Sequence, residues 1–297
     1  MSTKWPMHSL NDLSAKLTED VPLAPLTTFR IGGPARLLFQ PHSEAELCEV
    51  LRWLDENNQA YRILGGGSNI LVRDEGWPGA VIRLCDTLAG IDFDGTRVTA
   101  GGGALLVRLV AECASRGLSG AECLVGIPGT IGGALVMNAG GRYGHVGPLV
   151  HRVRVYAAGR LRDLAGDEIS FAYRSSSLAG SVVVSAELEL KLFPGDAVCA
   201  SMRKILLEKR RLQPVGAKSA GCVFKNPPGA PPAGALIEKA GLKGAWVGGA
   251  KISELHANYI VNTGGATACD VRRLIERVRR EVYERFDVEL ELEIEMW

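Results

Sequence analysis

The sequence lacks the features that most directly assign a chain to a class of protein. Its net charge is only +1 over 297 residues, so no charge bias indicates a nucleic-acid or membrane-surface partner. No uninterrupted apolar run reaches the roughly 18 residues that a membrane-spanning helix needs. The N-terminal MSTKWPMHSLNDLSAKLTED has no apolar signal core. We therefore expect a cytoplasmic protein that binds neither nucleic acid nor a membrane.

Motifs for metals, disulfides and common nucleotide folds are also missing. The seven cysteines form no CxxC pair, and their odd number fits neither a zinc ribbon nor a disulfide framework. The five histidines show no metal-ligand spacing, so we expect no catalytic metal. Gly65 and Gly67 are followed by Ile70 where GxGxxG needs glycine, and no GxxxxGK[ST] occurs. A Rossmann fold and a Walker loop are therefore not predicted.

Hydrophobic periodicity predicts alternating helices and strands in both halves of the chain. Residues 43–58 are predicted to form a helix, because Ser43 is a suitable N-cap and Glu46 follows three residues later. A longer helix is predicted over 267–285. The final VELELEIEMW alternates as one strand, which would place four glutamates on a single face.

The length and this alternation indicate an α+β protein with more than one substructure. At 297 residues the chain exceeds the usual size of a single domain. The Phe-Pro-Gly-Asp sequence at 193–196 is a natural boundary. We predict an N-terminal extension at 1–20, a glycine-rich domain at 21–195 and a smaller domain at 196–297.

Glycine clusters are the most informative feature that is present. Three consecutive glycines at 65–67 are costly to order, which suggests a turn or a close approach to the backbone. Successive exposed N–H groups bind anions, so a phosphate is the candidate ligand. Residues 125–144 hold seven glycines and are predicted to form a long loop or a loop with a turn. A simple tight turn remains the alternative for any one cluster.

Seven segments together indicate a family. They are LTTFRIGGPA (26–35), ILGGGSNIL (63–71), GIPGTIGGALVMNAGGRYG (126–144), FAYRSS (171–176), AGCVFKNP (220–227), ISELHANYIVNTGGATACDV (252–271) and LELEIEMW (290–297). In this order they resemble the motifs of the UDP-N-acetylenolpyruvoylglucosamine reductases. The resemblance covers nearly the whole chain.

The resemblance implies a fold, a reaction and partners. The fold would be the vanillyl-alcohol-oxidase-type (PCMH-type) architecture, in which two α+β lobes bind FAD non-covalently and a C-terminal α+β domain binds substrate. NADPH would reduce the flavin, which would then reduce UDP-N-acetylglucosamine enolpyruvate in peptidoglycan synthesis. The short segment between Arg174 and Phe193 resembles the subtype without a tyrosine-bearing insertion. A monomer is the family expectation.

The resemblance also implies cofactor-binding residues. The FAD pyrophosphate would lie against the backbone of Gly65, Gly66, Gly67, Ser68 and Asn69. The isoalloxazine and ribityl portion would contact a second set, namely Thr28, Arg30, Ile31, Gly126, Pro128, Gly129, Thr130, Gly133 and Ala134.

Three residues match the family's catalytic positions. Arg174 would polarise the substrate carboxylate, since a guanidinium binds a carboxylate through two hydrogen bonds. Glu293 would support that carboxylate. Cys222 stands where most members place the serine that protonates C2, and a free thiol, with a pKa near 8.5, is a stronger acid than a hydroxyl. A buried apolar role is the alternative for Cys222.

Substrate contacts are implied at five further positions, with two departures nearby. Tyr143 would contact the substrate diphosphate, and the other four residues, Lys225, Asn226, His256 and Asn258, would contact substrate or NADPH. Glu295 stands where the family often carries arginine, and the chain ends shortly afterwards at Trp297.

Two rival interpretations stay open at this point. A flavin oxidase of the same fold would pass electrons to oxygen and act on another small molecule. A nucleotide-binding protein without catalysis would also account for the glycine loops.

Overall fold

The computed structural model describes residues 13–297. The helices are α1 (Glu44–Glu56), α2 (Leu106–Ser115), α3 (Ile131–Val136), α4 (Gly195–Leu212), α5 (Ala233–Lys239) and α6 (Ala268–Phe286). The first strands are β1 (Lys16–Pro22), β2 (Pro34–Gln40), β3 (Tyr61–Ile63), β4 (Ile70–Leu71), β5 (Trp77–Ile82), β6 (Ile91–Asp94), β7 (Arg97–Gly101), β8 (Leu118–Ser119), β9 (Gly140–Gly141) and β10 (Gly144–His145). The later strands are β11 (Val150–Ala157), β12 (Arg160–Ala165), β13 (Phe171–Ala172), β14 (Ser175–Ser176), β15 (Val182–Glu189), β16 (Lys191–Leu192), β17 (Trp246–Val247), β18 (Ala250–Ile252), β19 (Ile260–Asn262) and β20 (Glu295–Met296).

The first lobe is a four-stranded sheet with α1 packed against it. The strand order is β1-β2-β5-β3, with β2, β5 and β3 parallel and β1 antiparallel at the edge. Leu47 and Leu51 of α1 are fully buried beside Phe39 of the sheet. Ser43 caps the helix by accepting a hydrogen bond from the N–H of Glu46, as predicted. The predicted boundary after residue 20 falls inside β1, and residues 1–12 of the predicted extension lie outside the described part.

The second lobe is a five-stranded antiparallel sheet in the order β12-β11-β15-β7-β6. The Ala158-Gly159 pair between two strand-like segments predicts a hairpin, and one joins β11 to β12, where these residues have φ of +50° and +75°. Helices α2 and α3 cover the sheet. Ile205 of α4 packs into the same apolar cluster, so the helix that follows the predicted 195/196 boundary lies against this lobe.

The C-terminal unit packs α5 and α6 over the small sheet β17-β18-β19. The apolar stripe of α6 is buried, and Thr267 and Asp270 form a capping box at its start. Phe29 and Leu71, from the N-terminal part of the chain, complete this core. The unit is therefore packed directly against the first lobe.

Two predictions of local structure were wrong. The 125–144 segment is not all loop, because α3 forms within it and Thr130 accepts a hydrogen bond from the Gly133 N–H at the helix start. The C-terminal tail is not one continuous strand. Only β20 is a strand, and it pairs in parallel with β4 of the first lobe, while Leu292 bridges to Phe224. The tail thus joins two parts of the molecule, and its backbone bends to contact both.

Residues 13–297 contain neither a candidate membrane-spanning helix nor a candidate metal-ion cluster. In this part of the chain no helix is long and apolar enough to cross a membrane. The same residues contain no cluster of three His, Cys, Asp or Glu side chains that could hold a metal ion.

Candidate active site

The glycine-rich loops converge on one cleft of about 1090 Å³ between the lobes and the C-terminal unit. This volume is at the upper end of the range for small-molecule sites, about 300–1,000 Å³. The loop that follows β3, the segment around α3, and the turn between β13 and β14 all line it. The C-terminal tail closes one side. The cleft is therefore large enough for an extended ligand such as a dinucleotide.

The three glycines at 65–67 are required because neighbouring residues pack closely against them, the Thr130 side chain at Gly65 and backbone at Gly66 and Gly67. A Cβ on Gly66 would lie 2.7 Å from the Cα of Gly129, and one on Gly67, where φ is +60°, would lie 2.3 Å from the carbonyl oxygen of Leu26. The Ser68 hydroxyl donates to the carbonyl of Pro128 at 3.0 Å. The 65–69 loop and the 126–130 loop are thus fitted to each other, and any side chain would separate them.

The backbone donors of the 65–69 loop fit an anionic group. Within the described chain, none of its five N–H groups has a protein acceptor, although all five residues line the cleft. Buried or half-buried N–H groups are normally paired, so this run of donors indicates a ligand with several acceptor oxygens. A diphosphate has that chemistry.

The second set of predicted cofactor residues divides in two. The six from 126 to 134 line the cleft, namely Gly126, Pro128, Gly129, Thr130, Gly133 and Ala134. Thr28, Arg30 and Ile31 do not. Thr28 instead supports the glycine loop, since its N–H donates to Gly67 at 3.0 Å and its hydroxyl to Ser219 at 2.7 Å.

Arg30 and Ile31 are held away from the cleft by local structure. Arg30 is exposed, has φ of +58°, and its guanidinium donates to the carbonyl of Pro25. Ile31 is 3% exposed within the C-terminal core. The LTTFRIGGPA segment therefore shapes the cleft from behind rather than lining it.

Arg174 and Glu293 form a mostly buried ion pair in the cleft. Arg174 lies in the turn between β13 and β14 with φ of +54°. Its Nε donates to Oε1 of Glu293 at 2.5 Å, and its Nη1 donates to the carbonyl of Gly140 at 2.9 Å. The two side chains are 21% and 11% exposed. Burial raises the pKa of the Glu293 carboxyl, and the positive charge of Arg174 opposes that rise.

Cys222 lies in the same cleft, half-buried, and forms an antiparallel bridge with Tyr259. Burial, together with the negative charge of Glu293, raises the pKa of its thiol to about 12. The free-thiol value expected from the sequence therefore does not hold here. At neutral pH the thiol keeps its proton, which is the state that a proton donor requires.

Of the five predicted substrate residues, two line the cleft and three do not. Tyr143 and His256 line the cleft. Asn258 does not, because its buried side chain accepts from the Phe224 N–H at 2.9 Å and donates to the Phe224 carbonyl at 2.7 Å. Lys225 and Asn226 also lie outside the lining. The Lys225 ammonium is 3.4 Å from a carboxylate oxygen of Glu291.

The side chain of Asn226 forms a hydrogen bond at the start of a helix. Its side-chain oxygen accepts from the N–H of Ala233, the first residue of α5, at 3.1 Å. Its own N–H donates to the hydroxyl of Tyr173 at 3.3 Å. Asn226 and Asn258 therefore both hold backbone in place beside the cleft.

Four residues near the cleft were missed by sequence reasoning. Lys209 and Gln213 line it from the end of α4, and the Lys209 ammonium donates to Val125 at 2.6 Å while burial lowers its pKa. Glu208 is paired with both Arg142 and the hydroxyl of Tyr143. Tyr259 lines the cleft beside Cys222. No periodicity or spacing distinguishes these residues: Glu208 and Lys209 lie within a helix, Gln213 follows its end, and Tyr259 immediately precedes a short strand.

Comparison with known proteins gives the family. Residues 35–164 match the FAD binding domain family, and residues 213–297 match the UDP-N-acetylenolpyruvoylglucosamine reductase C-terminal domain. Over 279 residues the chain is 47% identical to UDP-N-acetylenolpyruvoylglucosamine reductase 2 of Symbiobacterium thermophilum, covering 93% of this chain and 90% of that protein. The chain belongs to the UDP-N-acetylenolpyruvoylglucosamine reductase family.

Further relatives agree with this membership. The reductase of Syntrophobacter fumaroxidans is 42% identical over 296 residues, which is 97% of this chain and 85% of that protein. The crystal structure of the reductase from Thermus caldophilus superposes with a TM-score of 0.83 at 40% identity, covering 95% of this chain and 98% of that one. The resemblance and the α+β FAD-binding fold expected from sequence are confirmed.

Proposed function

We propose that this protein reduces UDP-N-acetylglucosamine enolpyruvate to UDP-N-acetylmuramate with NADPH, through non-covalently bound FAD, in peptidoglycan synthesis. The proposal includes a monomer that acts in the cytoplasm, with cofactor and substrate domains dividing near residue 195. The observation that carries it is the convergence of Arg174, Glu293 and Cys222 on the cleft lined by the 65–69 loop. Seven unpaired thiols are consistent with a reducing compartment.

The glycine loop would hold the cofactor. The five N–H groups of residues 65–69 would donate to the FAD diphosphate, and the 126–134 segment would border the flavin. When bound there, FAD would supply the hydride-transfer chemistry that links NADPH to the enolpyruvyl double bond. The mutual packing of the two loops keeps their donors in place before the cofactor arrives.

Arg174 would stabilise the negative charge that builds on the substrate carboxylate. Its Nε and one N–H of Nη1 are used by Glu293 and Gly140, so three of the five guanidinium N–H donors remain. The two protein acceptors fix the plane of the guanidinium, so little reorganisation is needed when charge develops. Glu293 orients Arg174 in this scheme.

Cys222 would deliver the proton to C2. Its thiol is protonated at neutral pH because burial and the nearby Glu293 disfavour the thiolate. An alternative donor in the lining, the carboxyl of Glu293, is paired with Arg174.

Substrate contacts would come from Tyr143 and His256. Three further residues, Lys225, Asn226 and Asn258, would shape the neighbouring backbone.

The test is anaerobic stopped-flow absorbance of the holoenzyme in the oxidised-flavin band. NADPH should bleach the band, and UDP-N-acetylglucosamine enolpyruvate should restore it rapidly. UDP-N-acetylglucosamine, which lacks the enolpyruvyl group, is the matched control and should restore nothing. Recovery only on admitting oxygen would support the oxidase instead, and a protein that NADPH does not bleach would contradict both.

A further inference from the structure

We propose that Tyr259 is a positioning residue for the proton donor, with its phenolic hydroxyl donating a hydrogen bond to the sulfur of Cys222. This role rests on the proposed function, in which Cys222 protonates C2. Because Tyr259 would occupy the acceptor side of the sulfur, the S–H of Cys222 is left free to point at substrate. The same hydrogen bond would stabilise the thiolate that remains after proton delivery.

The backbone fixes the two residues opposite each other. Cys222 and Tyr259 form an antiparallel bridge, and the next N–H, that of Val223, donates to the carbonyl of Asn258 at 2.8 Å. The side chain of Asn258 then bonds both backbone groups of Phe224. Directly opposed residues on antiparallel segments have neighbouring side chains. The Cys222–Tyr259 pair is therefore held by hydrogen bonds that leave little freedom to separate.

The ring of Tyr259 is also fixed. The imidazole of His256 meets it edge-on, with ring centroids 5.0 Å apart and an interplanar angle of 67°. The carbonyl of Tyr259 accepts a hydrogen bond from the N–H of Ser253 at 2.8 Å. The N–H of Tyr259 donates to the carbonyl of His256 at 3.0 Å. Burial lowers the pKa of His256, so this neighbour is neutral at physiological pH. The phenol is thus aimed by packing and backbone bonds together.

The two side chains have the chemistry of a hydrogen-bond donor, the phenol of Tyr259, and an acceptor, the sulfur of Cys222. The side chains of Tyr259 and Cys222 lie close enough for each to shift the pKa of the other, and both residues line the cleft. Burial raises the pKa of Tyr259, as do Cys222 in its thiolate form and the negative charge of Glu293, while Arg174 opposes the rise. The phenol therefore stays protonated and can donate throughout the reaction.

The proton step balances with these groups alone. The S–H bond of Cys222 breaks and its electron pair stays on sulfur as a thiolate. The proton bonds to C2 through the electron pair that hydride addition to the other carbon of the enolpyruvyl double bond leaves there. Tyr259 donates a hydrogen bond to that thiolate without giving up its own proton. After product leaves, the thiolate takes a proton from water. Tyr259 acts only through Cys222 and touches neither reacting carbon.

The first measurement compares wild-type holoenzyme with Tyr259→Phe in both half-reactions. Reduction by NADPH should be unchanged, whereas reoxidation by the enolpyruvyl substrate should slow by about 10-fold, the size of effect expected from one lost hydrogen bond to a charged group. In a Cys222→Ala background the same substitution should have no further effect on the residual rate. Equal effects in both backgrounds would overturn the proposal.

The second measurement does not depend on the reaction. Iodoacetamide is added to the oxidised holoenzyme at a fixed alkaline pH, and alkylation of the Cys222 peptide is followed by mass spectrometry. The thiolate is the species that attacks iodoacetamide, and the Tyr259 hydrogen bond would stabilise it. Loss of that donor should therefore reduce the rate of Cys222 alkylation by about 10-fold. Alkylation of exposed Cys269 in the same sample is the internal control and should not change.

The two measurements separate the possible failures. If Tyr259 only shields Cys222, Tyr259→Phe will leave the alkylation rate unchanged or raise it, and the positioning role is wrong. If alkylation slows as expected while wild-type enzyme fails to be reoxidised by the enolpyruvyl substrate, the proposed function is wrong and the hydrogen bond stands. Unchanged flavin absorbance in the variant checks that it is folded and loaded.

Discussion

The Nε of Arg174 lies 2.5 Å from Oε1 of Glu293, although 119 residues separate them in the sequence. The pair joins the turn between β13 and β14 to the C-terminal tail. Both side chains are mostly buried, and a buried charge that loses its partner costs several kcal/mol, on the order of 3–5. Either residue alone would therefore be unfavourable in this cleft, and the site depends on both segments being in place.

Arg174→Lys should slow the substrate half-reaction by roughly 100-fold, because lysine cannot bond Glu293, Gly140 and a carboxylate through one planar group. Bleaching by NADPH should be little affected. Single-turnover reoxidation measures the first effect and anaerobic reduction the second.

The matched control for Arg174 is Arg162→Lys, at an exposed arginine on β12. That variant should behave as wild type in both half-reactions. If Arg174→Lys reduced both half-reactions equally, the carboxylate-binding role would be wrong and a general effect on the fold would replace it.

Substitutions at Cys222 should separate proton donation from packing. Cys222→Ser keeps a donor and should remain active. Cys222→Ala removes it and should lose flavin reoxidation by substrate while keeping reduction by NADPH. The two half-reactions are measured by anaerobic stopped-flow absorbance. Equal loss of both half-reactions in the alanine variant would refute the assignment.

The pH dependence of reoxidation should reflect the raised pKa of Cys222. A proton donor is active in its protonated form, which persists at pH values below its pKa. Since that pKa is about 12, with Glu293, Arg174 and Tyr259 facing the thiol, the rate should fall only as pH rises towards that value. A free thiol would lose activity near about 8.5.

The test of this pH dependence is a pH-jump measurement of single-turnover reoxidation from neutral to alkaline pH. Cys222→Ser is the comparison, since its hydroxyl does not titrate in that range. A wild-type decline near the free-thiol pKa that is absent from the serine variant would contradict the expected profile.

Gly66→Ala should weaken cofactor binding. The added Cβ would lie 2.7 Å from the Cα of Gly129, and that neighbour is backbone, so the 65–69 and 126–130 loops must move apart. We expect FAD affinity to fall by at least about 10-fold, equivalent to roughly 1.4 kcal/mol. Titration of the apoprotein with FAD, followed by flavin fluorescence, measures this.

The control for Gly66 is Gly195→Ala, at the first residue of α4, where a Cβ would meet nothing closer than 3.8 Å. It should leave FAD affinity unchanged. If FAD affinity were also unchanged in Gly66→Ala, the 65–69 loop would accommodate a side chain and the prediction would be wrong.

Asp74→Ala should destabilise the contact between the first lobe and the C-terminal unit. The carboxylate of Asp74 accepts from the N–H groups of Ala268 and Cys269 at 2.8 and 3.0 Å, and so caps α6 from outside the helix. Loss of such a cap lowers the free energy of unfolding by about 1 kcal/mol. Thermal or urea unfolding measures it, with exposed Glu75→Ala as the matched control. If the two variants had equal free energies of unfolding, the capping role of Asp74 would be wrong.

Local sequence signals were sufficient to predict helix α1 and one hairpin, and ordered motifs were sufficient to indicate the family, but neither predicted α3 or the bend in the C-terminal tail. Helix α1 follows from the spacing of its apolar residues and from the Ser43 cap, because both signals are local to a few residues. The hairpin at Ala158 and Gly159 is local in the same way. The glycine loops and Arg174, Cys222 and Glu293 were found through the resemblance of ordered motifs, which periodicity alone could not supply.

Which partners each motif residue contacts depends on the packing of distant segments. Glu289, Glu291, Glu293 and Glu295 look equivalent in an alternating tail, but only Glu293 is not exposed, because the tail bends between Val223 and β4 and turns that one carboxylate towards Arg174. Thr28 and Asn258 fit the motif equally well, yet hydrogen bonds to distant backbone use their side chains. The pKa of Cys222 likewise depends on burial and on charges brought from far along the chain, since desolvation is a property of the packed site and not of the residue.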